Sequence, residues 1–192
     1  PLDINRIQPD FLVASCYKWL LGPYSTGILY VAPKHQNGQP IEPGWANRAG
    51  SENFTALVSY TDEYQAGARR FDMGERSNFA LLPPMIVGFQ QIIDWGIESI
   101  QKTITGITDI SASRAVENGL KVGNRSHRAG HFLGVRLPGG VPSNLTVELA
   151  KQNVFVSVRG NSVRITPHLY NNSDDVDRSE EHTSELQSRT NL

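Results

Sequence analysis

Three places in this chain combine residue types that can do chemistry. Lys18 stands in Ser15-Cys-Tyr-Lys-Trp19, between two short apolar runs, Phe11 to Ala14 and Gly27 to Val31. An amine packed near Tyr17 and Trp19 loses solvation, which favours its neutral form and makes it a nucleophile able to form a Schiff base. The plainer reading is that Lys18 buries its stem and leaves its ammonium in water. Arg164 lies in Val163-Arg-Ile-Thr166, one cation among apolar strand residues. A buried arginine needs a carboxylate, supplied either by the chain's own ion pair or by an incoming ligand. The third place, Gly67 to Asn78, gathers Arg69, Arg70 and Arg76 with Gly67 and Gly74 just before a helix. Glycines let backbone approach an anion, arginines fork onto phosphate or carboxylate, and a helix start adds unpaired N–H groups. The alternative there is a solvated basic loop in which Arg70 pairs with Asp72.

The elements that must hold these residues follow from pattern. Each apolar run reads as a strand buried on both faces, so Ser15 to Thr26 falls at strand ends, where open α/β sheets gather ligands. Ala32 to Asn53, rich in Pro, Gly and Asn, reads as a long loop in which Pro43-Gly44-Trp45 sets an aromatic beside a turn. Trp45 serves either as a loop anchor or as a ligand contact. Pro84 opens a helix with Met85, Phe89, Ile92 and Ile93 as a core stripe up to Gly96, and a second helix carries Ile97, Ile100, Ile104 and Ile107 toward a stop at Asn118-Gly119. From Lys121 the units shorten: a strand over 131–137, a helix capped by Ser143 with Leu145 and Leu149 inside, a hairpin of 154–158 and 162–166, and a helix capped by Ser173. Strand, helix, strand, strand, helix is the order of a small α+β domain.

Composition narrows the classes. The chain of 192 residues has a net charge of -1 and 39% hydrophobic residues, enough for a core and without the overall positive charge that favours nucleic acid or an anionic membrane. No apolar run reaches the ~20 residues that span a bilayer. One cysteine, Cys16, forms no internal disulfide and reads as a small buried residue, so a reducing cytoplasm fits. His127, His131 and His168 are not spaced as a metal site with any evident carboxylate, and no metal is expected.

The Lys18 segment, with its Ser, two residues, Lys, aromatic, Leu, Leu, Gly-Pro and then Gly27-Ile-Leu-Tyr-Val31, resembles the cofactor-lysine segment of the class V aminotransferases. These are fold-type I pyridoxal 5'-phosphate enzymes related to cysteine desulfurases, kynureninases and isopenicillin N epimerases. Arg164 to Asn172 is similar to the family's Arg-x-Ser-x-x-x-Tyr-Asn-Thr motif, with Thr166 for Ser and Asn171-Asn172 for Asn-Thr. The resemblance implies α/β architecture: residues 1–105 end the large cofactor-binding domain, and 106–178 form the small α+β C-terminal domain. It further implies that the chain begins inside a longer enzyme and is inactive as truncated. The tail 179–192 leaves the family pattern and reads as translated adapter read-through.

By the same resemblance Lys18 is the catalytic and cofactor lysine, Ser15 and Tyr17 bond the cofactor phosphate, Trp45 touches it, and Arg164 grips the substrate's α-carboxylate. The family's Arg-Phe-acidic-x-Gly turn reaches the phosphate of the partner subunit's cofactor. Glu75 here stands where Thr or Asn is usual, so that contact passes to Arg76, Ser77 or the backbone. A homodimer acting on an amino acid is implied. A desulfurase is not, because Phe155 to Asn161 carries no loop cysteine; transamination, epimerisation and lyase chemistry remain. The competing reading is a non-catalytic α/β domain with Lys18 solvated and Arg164 in an internal ion pair.

Overall fold

The computed structural model describes residues 1–179; of the tail 179–192 that carries the read-through reading, all but the helical Ser179 lies outside the described residues. The chain divides into two compact units, Pro1–Trp95 and Gly96 onward. The boundary read from sequence, after residue 105, falls inside a helix of the second unit.

In the first unit a short helix α1 (Ile4–Ile7) starts at Asp3, whose carboxylate accepts from the N–H groups of Asn5 and Arg6. Strands β1 (Phe11–Ser15) and β2 (Gly27–Val31) then pair antiparallel, with Phe11 opposite Val31 and Ser15 opposite Gly27. The apolar runs therefore form strands but not strands buried on both faces. Val13 is 78% exposed, and Phe11, Ile28 and Leu29 are exposed as well. A two-stranded ribbon has no neighbour to cover either edge, so only Val31, at its inner end, is fully packed. Residues 32–81 are loop punctuated by short 3-10 turns, as the Pro/Gly/Asn content dictates. Helix α2 (Leu82–Trp95) follows, with Met85, Phe89 and Ile92 half-buried. Ile93, read as part of that stripe, is exposed.

The second unit begins with α3 (Ile97–Glu117). Its buried stripe is Ile104, Thr108, Ser111, Ala112 and Ala115, smaller and more polar than the isoleucine face read from sequence; Ile97 is exposed. Thr108 is buried without penalty because its hydroxyl donates to the carbonyls of Thr105 and Gly130. The helix stops where the sequence says, with Gly119 at φ 74° and the Leu120 N–H returning to the Ala115 carbonyl. Strands β3 (Lys121–Val122), β4 (Leu133–Arg136), β5 (Ser157–Arg159) and β6 (Ser162–Ile165) form an antiparallel sheet in the order β3-β4-β6-β5. Between β4 and β5, α4 (Leu145–Lys151) presents Leu145 and Leu149 to the core formed by Leu133, Val135, Val163 and Ala112. Each such leucine contributes ~1.5–3 kcal/mol of burial.

Two caps differ from the sequence reading. Asn144, not Ser143, precedes α4, and neither it nor Ser143 makes a side-chain cap bond there. The last described helix, α5 (173–179), is capped by Asn172 rather than Ser173: its Oδ1 accepts from the N–H groups of Asp174 and Asp175, and the Asp175 carboxylate accepts in return from the Asn172 N–H. Hydrogen bonds from the Asn171 side chain and the Asn172 N–H hold the Asp175 carboxyl below the usual carboxylate range. A lowered folded pKa contributes stability above the unfolded value and loses it as pH falls through the folded one. Thermal melts from pH 7 downward should therefore show a loss below about pH 4 that is smaller in Asp175→Asn; identical pH profiles in the two proteins would remove this role.

Candidate active site

Ser15 ends β1 and Gly27 begins β2, so residues 16–26 form one loop at a single end of the ribbon, and Lys18 sits on it. The loop is tied internally. The Cys16 N–H donates to the Thr26 carbonyl (3.0 Å), the Gly22 N–H to the Cys16 carbonyl (2.8 Å) and the Leu21 N–H to the Lys18 carbonyl (3.1 Å). Leu21 (φ 55°) and Ser25 (φ 65°) hold left-handed backbone, which costs ~1–2 kcal/mol for a residue with a side chain and persists only where the surroundings enforce it. Part of that enforcement comes from α2. A Cβ on Gly88 would lie 2.7 Å from the Leu21 carbonyl oxygen, so the helix packs its backbone directly against the lysine turn. Gly88→Val should therefore destabilise the first unit by ~1–3 kcal/mol and displace the turn. Denaturant melts check the first effect and amide shifts of residues 18–22 the second; unchanged shifts would sink the bracing role.

Lys18 itself is exposed, with Nζ 4.8 Å from the Tyr17 ring centroid, and Tyr17 stacks on Tyr24 at 4.5 Å. The desolvated amine expected from the sequence is thus not found; the aromatic neighbour beneath it makes a cation–π contact. Ser15 is exposed and Tyr17 half-buried, leaving hydroxyl donors on either side of the fully buried Cys16.

Trp45 and Arg76 belong to a second cluster in the same unit. Trp45 is half-exposed and packs edge-on against Phe54 (5.8 Å), on a 3-10 turn over 45–47. Arg76 is engaged by Asp72 (2.7 Å), so it offers a partly neutralised cation. Arg70 does not pair with Asp72; its Nε donates to the Gln65 carbonyl. Glu75 adopts φ 55°, and the neighbouring Gly74 N–H donates to the Glu42 carboxylate. The residue that joins the two loops was not found from sequence. Asn47, 1% exposed, donates from Nδ2 to the carbonyls of Glu42 and Asp72, binding the Trp45 turn to the Arg76 turn, while its Oδ1 is buried without a partner. Nothing in the local sequence separates Asn47 from the other asparagines of this loop. Gln65 and Ser51, also buried, hydrogen-bond each other and the Ala46 carbonyl behind it.

Arg164 lies in the second unit on β6, between Gly134 of β4 and Ser157 of β5. Its Cζ stands 5.1 Å from the Phe132 ring centroid, and its Nε is buried with no hydrogen-bond partner. Among the described residues it has no carboxylate partner, so the internal ion pair of the non-catalytic reading is not found there. An orphaned, half-buried guanidinium is a standing demand for an anion. His131 and His168 are held below the ordinary histidine pKa by burial, and among the described residues no group of His, Cys, Asp or Glu could hold a metal ion.

No family model matches the chain. An uncharacterized aminotransferase, YcbU of Bacillus subtilis, is 23% identical over 189 residues, covering 92% of this chain and 45% of that protein. The structure of an apo cysteine desulfurase from Thermococcus onnurineus superposes with a TM-score of 0.77 at 20% identity, over 96% of this chain and 48% of that one. This is the fold of the C-terminal half of a class V aminotransferase. A C-DES mutant with glycine covalently linked to its PLP cofactor superposes with a TM-score of 0.75 at 16% identity, over 96% of this chain and 48% of that one. The chain spans about half the length of these relatives. In this chain β5 and β6 join in a tight hairpin without cysteine, and Cys16 is buried in the other unit. No helix among the described residues is long and apolar enough to cross a membrane.

Proposed function

We propose that this chain is part of a pyridoxal-phosphate-dependent enzyme acting on an amino acid at its α-carbon or side chain, with its first unit in the large domain and its second as the small one. The observation that carries the reading is Arg164, a cation set in the middle strand with its Nε orphaned, as a receptor for the substrate's α-carboxylate must be before substrate arrives. The donor chemistry fits the cofactor. Lys18 offers an amine for its aldehyde, Ser15 and Tyr17 offer hydroxyls for its phosphate, and Trp45 offers a ring on a clamped loop. Arg76 reaches a phosphate only by sharing its charge with Asp72. When bound, the cofactor supplies an electron sink for charge developing at the α-carbon. Lys18 then holds and returns the proton at that carbon, acting as general base and acid, while Arg164 fixes the carboxylate so that the reacting bond stays aligned.

Without a cysteine on the β5–β6 hairpin there is no thiol there to accept sulfur, so the reading excludes desulfuration and keeps transamination, epimerisation and side-chain elimination, which share the Lys18 step. The proposed assembly is a cytoplasmic homodimer without nucleic-acid or membrane partners; exposed Ile41, Val58 and Phe79 give the first unit apolar surface for another protein face. The exposure of Lys18 is what a non-catalytic domain would show, and an Arg164 without a carboxylate among the described residues is what it would not.

The test is a pyridoxal-phosphate titration of this chain co-expressed with the N-terminal half of the Bacillus subtilis relative. A visible absorbance absent from free cofactor should appear in the parent and vanish in Lys18→Ala. No band in a folded, assembled parent overturns the proposal.

A further inference from the structure

Cross-strand register divides the four-stranded sheet of the second unit into rows. Val122, Val135, Val163 and Val158 form one row on the core face. The adjoining row on the opposite face reads Lys121, Arg136, Ser162, Arg159. Two residues further along the same face comes Gly134, Arg164, Ser157, because side chains alternate with a period of two. One face of the sheet therefore carries three arginines and a lysine around two serines, and Gly134 adds no side chain between them.

That arrangement is not ordinary surface charge. Like charges placed directly opposite in antiparallel strands repel, and Lys121 is directly opposite Arg136. The other described arginines of this unit all have carboxylates: Arg114 pairs with Asp177, Arg125 and Arg128 with Asp109, and Arg178 with Asp175. On the sheet face none does. Among the described residues no acid pairs with Lys121, Arg136, Arg159 or Arg164, and the Arg164 Nε is buried and orphaned besides. Among the described residues of this unit, Lys102 on α3 is the other cation without an acid; the cations that cluster without one lie on this face, next to the guanidinium assigned to the α-carboxylate.

We propose that this face selects an amino acid whose side chain carries a second anionic group. Resting on the reading of Arg164 above, the α-carboxylate binds Arg164, and the side-chain anion binds between Arg136 and Arg159 over the Ser162 hydroxyl. Strand geometry sets the spacing: Ser162 and Arg164 are two residues apart on β6, ~7 Å along the strand, and Arg136 and Arg159 flank Ser162 from both neighbouring strands. Arg159 donates from Nη1 to the Val158 carbonyl (3.0 Å), which leaves its other N–H groups for a ligand; two arginines flanking one hydroxyl suit a planar carboxylate better than a neutral side chain, which would leave both charges unpaired.

The 192-residue chain is titrated with succinate, butyrate and sulfate at constant ionic strength, following backbone amide shifts of β4, β5 and β6. Succinate should bind at least about tenfold more tightly than butyrate. Arg136→Gln and Arg159→Gln, singly and together, should erase that advantage while leaving butyrate binding as it was. Both positions are exposed, and unchanged shifts for the valine row certify the fold of each variant. Arg164→Gln should weaken both acids. Equal affinity of the parent for succinate and butyrate, or a succinate preference that survives in the double variant, overturns the second anion site while leaving the Arg164 reading intact. Sulfate binding as tightly as succinate also overturns it, by showing a site for any dianion. A parent that binds neither acid overturns the Arg164 reading and this one together.

Discussion

Arg164→Gln should weaken the binding of a simple carboxylate by roughly 30-fold to more than 1000-fold, the equivalent of ~2–5 kcal/mol for removing one partner of a hydrogen-bonded charge pair. The half-buried setting favours the lower end of that range, because water still screens part of the guanidinium. The effect should appear in affinity and not in stability. Among the described residues Arg164 has no carboxylate to lose, and its replacement relieves a buried Nε that has no partner there. Carboxylate titration and a denaturant melt on the same samples separate the outcomes. Unchanged affinity with a large loss of stability would make Arg164 structural.

The second large effect belongs to Lys18. In an assembled enzyme Lys18→Ala should lower turnover by about 10²–10⁴-fold, the usual scale for removing a positioned acid–base group. Lys18→Arg should not restore it, since a guanidinium stays protonated and neither attacks an aldehyde nor accepts a proton from carbon. Folding should be spared in both, because Lys18 is exposed and the turn beneath it is held by backbone bonds from Cys16, Leu21 and Gly22. Activity in Lys18→Ala within a few-fold of the parent would end the catalytic assignment.

The contrast between what was legible in the sequence and what was not has a physical basis. The strands at 11–15 and 27–31, the helix stop at Asn118-Gly119, the Leu145/Leu149 helix and the hairpin into Arg164 all rest on local rules of period, turn chemistry and capping. Burial is not local. Phe11, Val13 and Leu29 look like interior strand residues by type, yet they are exposed because burial depends on what lies across the sheet. Lys18 fails in the same way: its aromatic neighbours are adjacent in sequence, yet its side chain is exposed, with Nζ over the Tyr17 ring. Side-chain networks were hidden for a different reason. The link from Asn47 to Glu42 and Asp72 spans 25 residues on one side, and the partner of Asp72 proved to be Arg76, four residues on in the loop, where sequence had offered Arg70. Arg164 was legible because a lone cation in an apolar strand is costly wherever it sits, so its type and place already posed the question of a partner; among the described residues its Nε has none.

The most direct test of the central claim is reductive trapping. The chain, co-expressed with the N-terminal half of the Bacillus subtilis relative, is treated with pyridoxal phosphate and borohydride, digested, and its lysine peptides weighed. The account predicts a pyridoxyl label concentrated on Lys18, with Lys34, Lys102, Lys121 and Lys151 at the background level of exposed amines. A label spread evenly over these lysines, or one that spares Lys18, would contradict it.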